Sequence, residues 1–202
     1  MESEPLFPTE SALAALSPWA RIAYAARCAR RVQPLANAWP GRAPALREAI
    51  ERAIALAEEA AARADASATG AAVRAAAGRA ANDAAEELRR AAQESDGDSS
   101  RAAFAALSAA KAAVRASRGS PDPAAVADAA FEAEASAGPA FWAVQEAMRR
   151  DFEKLQSWAS PEKMFAPEPV AVSVFGPLWP DGEPSAWREA IRRVAQSDQS
   201  AG

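Results

Sequence analysis

The sequence predicts an all-α fold: an antiparallel helical bundle or array of about six to seven helices, with an extended Pro-rich C-terminal segment packed across it. Three observations predict it. Alanine supplies 60 of the 202 residues, and alanine is the strongest helix former. Larger apolar residues recur at spacings of three and four between Gly and Pro breaks, the period of one helix face. All six tryptophans lie outside the middle of the chain, Trp19 and Trp39 before it and Trp142, Trp158, Trp179 and Trp187 after it. Alanine-faced helices approach closely but bury little surface each. The two ends are therefore expected to share an aromatic cluster, with Trp19 and Ile22 meeting Phe152, Leu155 and Trp179.

The elements follow in order. Thr9 can cap a short turn through Leu16, and Ser17 with Pro18 starts a helix over residues 18–33 with Trp19, Ile22, Ala26, Ala29 and Val32 as its buried stripe. Pro34 is expected to kink or end it, and Trp39-Pro40-Gly41 is a break. A helix over 44–64 carries Leu46, Ile50, Ala53, Ala57 and Ala60 on one face, with Glu48–Arg52 and Glu59–Arg63 as i,i+4 pairs. After a weak break, residues 71–93 form a poorly anchored helix, with only Val73 and Leu88 as large aliphatics. The loop Glu94-Ser95-Asp96-Gly97-Asp98-Ser99-Ser100 precedes a helix to residue 117 striped by Phe104, Leu107, Ala110 and Val114. Asp122-Pro123 restarts the chain into a helix that Gly138-Pro139 ends, its apolar face Val126, Ala130 and Phe131. Residues 139–158 are the most amphipathic stretch, with Phe141, Val144, Met148, Phe152 and Leu155 in register. Pro161, Pro167, Pro169, Pro177 and Pro180 then impose an extended run over 160–184. A last helix from Ser185 to Gln196 turns Trp187, Ile191 and Val194 inward. Residues 1–196 are read as one alanine-rich domain and 197–202 as a flexible tail.

Composition narrows the function. With no histidine and one cysteine, the chain lacks the usual general base near neutral pH, the commonest transition-metal ligand and any internal disulfide. No catalytic set, metal site or cofactor site is expected. A formal net charge of -4 gives no general pull toward nucleic acid or anionic lipid. The acidic start Met1-Glu2-Ser3-Glu4 and the lack of a long uncharged apolar run point to a soluble, cytoplasmic protein without a membrane span.

The segments Trp19-Ala20-Arg21-Ile22-Ala23-Tyr24-Ala25-Ala26-Arg27-Cys28-Ala29-Arg30-Arg31 and Phe175-Gly176-Pro177-Leu178-Trp179-Pro180 resemble segments of alanine-rich helical bacterial proteins with no assigned activity. The resemblance covers the two ends of the chain and implies a bacterial helical module.

Five groups of residues are weighed as sites. Arg21, Arg27, Arg30 and Arg31, with Tyr24 among them and no acidic residue between Glu10 and Glu48, can form an anion or nucleic-acid patch. Alternatively they pair with acids of neighbouring helices such as Glu48 or Glu51. Phe175, Leu178 and Trp179, stiffened by proline and flanked by Trp158, can grip another protein or dock on the chain's own helices. Cys28 reads as a packing residue, and Glu94, Asp96 and Asp98 as a solvated loop without the later ligands of a calcium site. Glu146, Asp151 and Glu153 alternate with Arg149, Arg150 and Lys154 and read as a solvated, self-neutralising face. The functional expectation is a non-catalytic helical protein-protein interaction module, an adaptor or scaffold whose partner is another protein or a second copy. The alternatives are nucleic-acid binding through Arg21 to Arg31 and an enzyme using only carboxylates and arginines.

Overall fold

The computed structural model describes residues 8–38, 44–63, 123–158 and 168–196. The helices expected over 71–93 and 101–117, the acidic loop between them, the Trp39-Pro40-Gly41 break, the C-terminal tail and the first part of the extended run lie outside the described residues. Within them the fold is all-α, with six α-helices and no strand: α1 (Glu10–Ala14), α2 (Pro18–Asn37), α3 (Pro44–Arg63), α4 (Pro123–Ser136), α5 (Phe141–Trp158) and α6 (Ser185–Gln196). None of them is long and apolar enough to cross a membrane.

Both expected caps form. The Thr9 hydroxyl accepts the Ala12 amide and the Ser17 hydroxyl accepts the Ala20 amide, satisfying donors that a helix start leaves open. Pro34 neither ends α2 nor marks its boundary, because the helix runs one turn further, to Asn37. Placed in the last turn, its missing N–H forfeits one ladder bond, while its carbonyl still accepts the Ala38 amide at 2.9 Å.

α2 is the axis of the molecule. Instead of a single stripe, every residue from Ile22 to Ala29 is buried, which is the signature of a helix enclosed on all sides. α3 and α4 pack most extensively on it. Contacts fix the directions: Arg30 reaches Glu58 and Gln33 reaches Glu51, so α2 and α3 run antiparallel. Tyr24 meets Met148 and Arg27 meets Asp151, so α2 and α5 run in the same direction. Leu13, Trp19, Ile22, Ile50, Ile54, Val126, Met148, Phe152, Leu155, Phe175 and Trp187 belong to one continuous apolar core, against which Trp179 packs. The two ends of the sequence do meet.

Alanine makes the close approach possible on α4, where Ala125, Ala129, Ala130 and Ala133 are buried beside Val126. Phe131 departs from its expected inward place and is 60% exposed. One residue turns about 100° around a helix, so the alanine face that meets α2 directs position 131 outward. The α4–α5 corner uses Gly138 at φ 49°, a left-handed conformation that favours glycine.

Across this corner the Gln145 amide donates to Glu134, whose carboxyl is raised above its ordinary value by burial. A carboxyl raised on folding binds more protons in the native state, so stability falls as pH rises from the ordinary glutamate value through the raised one. Glu134→Gln, which keeps an amide partner for Gln145, is expected to be more stable than the parent at neutral pH. That advantage should shrink to a constant offset in acid, below the ordinary carboxylate range. Urea midpoints of both proteins across pH check this, and a pH-independent difference would refute it.

Candidate functional site

Arg27 and Arg31 are one turn apart on α2 and point to the same side, toward α5 and the extended segment that follows Glu168. Asp151 of α5 stands between them. Its Oδ2 accepts from Arg27 Nε at 3.0 Å and from Arg31 Nη2, and the three side chains are 5%, 1% and 3% exposed. This was read from sequence as part of a solvated face, and the structure corrects that reading. Asp151 follows Met148 by three residues and precedes Leu155 by four, so helix geometry places it on the core side. The spacing was the signal, and the carboxylate masked it.

Other donors of these arginines hold the backbone of the extended segment, while Arg31 Nε is buried without a hydrogen-bond partner among the described residues. Arg27 Nη2 donates to the Gly176 carbonyl at 3.0 Å and to the Pro177 carbonyl at 2.6 Å, and Arg31 Nη1 donates to the Leu178 carbonyl. Lys154 Nζ, from the same supposedly solvated face, donates to the Phe175 carbonyl at 2.6 Å. Four successive carbonyls are thus held by three cations. The rings close the arrangement: Arg27 lies 5.3 Å from the Phe175 ring centroid and Arg31 4.8 Å from that of Trp179, both within cation–π range. Gly176, at φ 68°, makes the turn that lets this row of carbonyls face α2.

The electrostatics match a buried structural site. Burial pulls the Arg31 guanidinium below its ordinary value against the opposing pull of Asp151. Tyr24 and Cys28, both fully buried, are pushed up, first by burial, with their contact to each other and the Asp151 carboxylate also acting. A thiol held this strongly protonated is a packing residue and not a nucleophile.

The other two arginines go elsewhere. Arg30 faces α3, where it bonds Glu58 at 3.0 and 2.8 Å and Glu51 at 2.6 Å, as the pairing alternative expected for Glu51. Burial lowers its affinity for protons, but the bonds to Glu58 and Glu51 outweigh that and raise it, while Arg30 in turn lowers Glu51. Arg21 donates to the carbonyls of Leu16 and Ala14, tying α1 to α2.

Of the four residues singled out as partner anchors, Phe175 is 1% exposed, while Leu178, Trp179 and Trp158 are half-buried. Trp179 leans on the buried Trp187 with ring centroids 5.6 Å apart. It also lines a cavity of about 190 Å³ with Ala143, Glu146, Ala147 and Arg150 of α5 and Pro180, Asp181, Gly182 and Pro184. Alanine and proline carbons and the indole supply the apolar lining. Arg150 bridges Glu146 and Asp181, at 2.9 Å to each, among the charged groups of the lining.

At the N-terminal end of that α5 face stands Trp142, one residue before Ala143 and one turn before Glu146. It is 65% exposed, with Phe141 edge-on at 5.1 Å. Among the described tryptophans it alone is exposed, since Trp19 and Trp187 are buried and Trp158 and Trp179 half-buried. Sequence reasoning did not single it out. The signal was register: with Phe141 and Val144 taken as core, residue 142 falls to the outside. Among the described residues no cluster of acidic or thiol side chains has the makings of a metal site. Comparison of the chain with protein families, with curated proteins and with solved structures finds no match.

Proposed function

We propose that this protein is a non-catalytic helical interaction module, an adaptor or scaffold of a bacterial cytoplasm, that grips a protein partner through the Trp142 end of α5. One observation carries the reading: Trp142 is 65% exposed, one turn before Glu146 of the cavity lining, in a chain that tucks its other described tryptophans into the fold. Exposed tryptophan next to a partly formed pocket is the usual composition of a binding hot spot. The arginines of α2 support the same reading indirectly, because Arg27 and Arg31 are buried and turned onto Asp151 and the chain's own carbonyls rather than toward solvent.

The test is affinity capture from the native host with the parent protein and with Trp142→Ala, alongside thermal unfolding of both. The parent is expected to retain a protein partner or a second copy that Trp142→Ala loses, with the unfolding temperature unchanged. Recovery of the parent as a lone monomer at working concentrations would remove the proposal.

A further inference from the structure

The chemistry around Trp142 narrows the kind of partner. We infer that the cavity between α5 and the Trp179–Pro184 turn receives a proline-rich peptide carrying basic residues, an inference that rests on the interaction-module reading. Among the recurring modes of peptide recognition, the site suits polyproline docking better than strand addition, helix docking or phosphopeptide capture. Strand addition needs an open sheet edge, and the described residues contain no strand. An amphipathic helix needs a long groove for anchors over several turns, whereas this is one pocket of about 190 Å³. A phosphopeptide needs unengaged arginines, and Arg150 already bridges Glu146 and Asp181.

Polyproline recognition needs aromatic surface facing a small apolar pocket, and no edge of main chain. Trp179 lines the pocket with Ala143, Ala147, Pro180 and Pro184, and Trp142 is exposed on the same helix as the alanines, one turn before the lining residue Glu146. A proline-rich peptide also arrives extended and loses little entropy on docking.

Charge complementarity selects the flanking residues. The cavity lining holds two carboxylates, Glu146 and Asp181, against the single Arg150. Asp181 is 82% exposed and is bonded through Oδ2 to Arg150, which leaves its other oxygen facing solvent. Glu183, also exposed on this turn, has the Arg188 guanidinium on its carbonyl at 3.2 Å, so the excess of acid is that of the lining itself. On the α5 side Arg149 is matched by Glu146 and Glu153. This surplus of acid favours lysine or arginine beside the prolyl anchor and disfavours glutamate there.

The probe is a fluorescently labelled hexaproline peptide ending in two arginines, titrated with the full chain and followed by anisotropy. A second peptide carries glutamates in place of the arginines. The arginine peptide is expected to bind and the glutamate peptide to bind at least about tenfold more weakly. Trp142→Ala is expected to weaken the arginine peptide about tenfold or more, and Asp181→Asn to narrow the gap between the two peptides. Both positions are exposed, so circular dichroism should match the parent. No binding of the arginine peptide, equal binding of both peptides, or an unchanged affinity in Trp142→Ala would each overturn the inference. If the peptide fails while Trp142→Ala still abolishes capture of a partner or dissociates a dimer, the peptide chemistry is wrong and the interaction module stands.

Discussion

Asp151→Ala is expected to destabilise the protein by about 3–5 kcal/mol, the cost of leaving buried charge without its partner. Asp151 is 3% exposed and serves Arg27 and Arg31 together, themselves 5% and 1% exposed. Its removal strands two cations whose remaining acceptors are main-chain carbonyls. Asp151→Asn should cost less, because it keeps the shape and one acceptor oxygen. Its amide, however, turns a donor toward guanidinium groups that need acceptors. Urea unfolding of the three proteins measures the order, and a loss below about 1 kcal/mol for Asp151→Ala would mean that water reaches the cluster. Buried ion pairs can often be exchanged for apolar side chains at no loss. Here the exchange Arg27→Met with Arg31→Met and Asp151→Leu is expected to destabilise, because the carbonyls of Gly176, Pro177 and Leu178 would lose these donors together. Gly176 and Pro177 are exposed and Leu178 half-buried, so water replaces part of what is lost and each carbonyl costs less than the roughly 1–3 kcal/mol of a fully buried group.

This cluster also shows what the sequence could and could not reveal. Local rules located helix ends well: Ser17-Pro18 opens α2, Pro44 opens α3, Pro123 opens α4, and Ser185 to Gln196 is α6 as expected. Those signals act within one turn and need no partner. The placement of Arg27 and Arg31 depends on Asp151 and the 176–178 carbonyls, which are about 120 to 150 residues away and which spacing along α2 cannot announce. In a chain this rich in alanine, apolar contrast between faces is weak, so α2 reads as a striped helix when it is enclosed, and Phe131 reads as core when alanines hold that face. Pro34 misleads for a different reason. A proline loses its bond to, and crowds, the carbonyl one turn before it, while its own carbonyl can still support the next turn, so α2 continues to Asn37.

The same contrast explains why the candidate anchors changed. Phe175 and Trp179 are conspicuous in sequence because proline brackets them, but bracketing says only that the segment is extended. Which way its rings turn is decided by Arg27 and Arg31, whose guanidinium groups attract ring faces and carbonyls at once. With Phe175 drawn inward and Trp179 held by Arg31 and Trp187, the exposed aromatic side chains among the described residues are Trp142 and Phe131.

Trp187→Ala is the second large effect expected, a loss of about 3–5 kcal/mol. Trp187 is fully buried, and its ring supports Trp179, which in turn covers Arg31. Emptying that volume removes apolar burial and loosens the ring that shields a buried cation, so the cost should exceed transfer of the indole alone. Trp187→Phe separates the two contributions. The indole Nε1 of Trp187 has no hydrogen-bond partner among the described residues, and a buried donor without an acceptor is itself a cost of about 1–3 kcal/mol. Phenylalanine discards that donor and keeps an aromatic neighbour for Trp179, giving up part of the ring volume. Cavity and donor then act in opposite directions, and Trp187→Phe is expected to cost clearly less than Trp187→Ala. Urea unfolding of the parent and both variants tests the pair. Equal losses for Ala and Phe would mean that the indole N–H finds an acceptor in solution, and that Trp187 is held by its polar edge as well as by its ring.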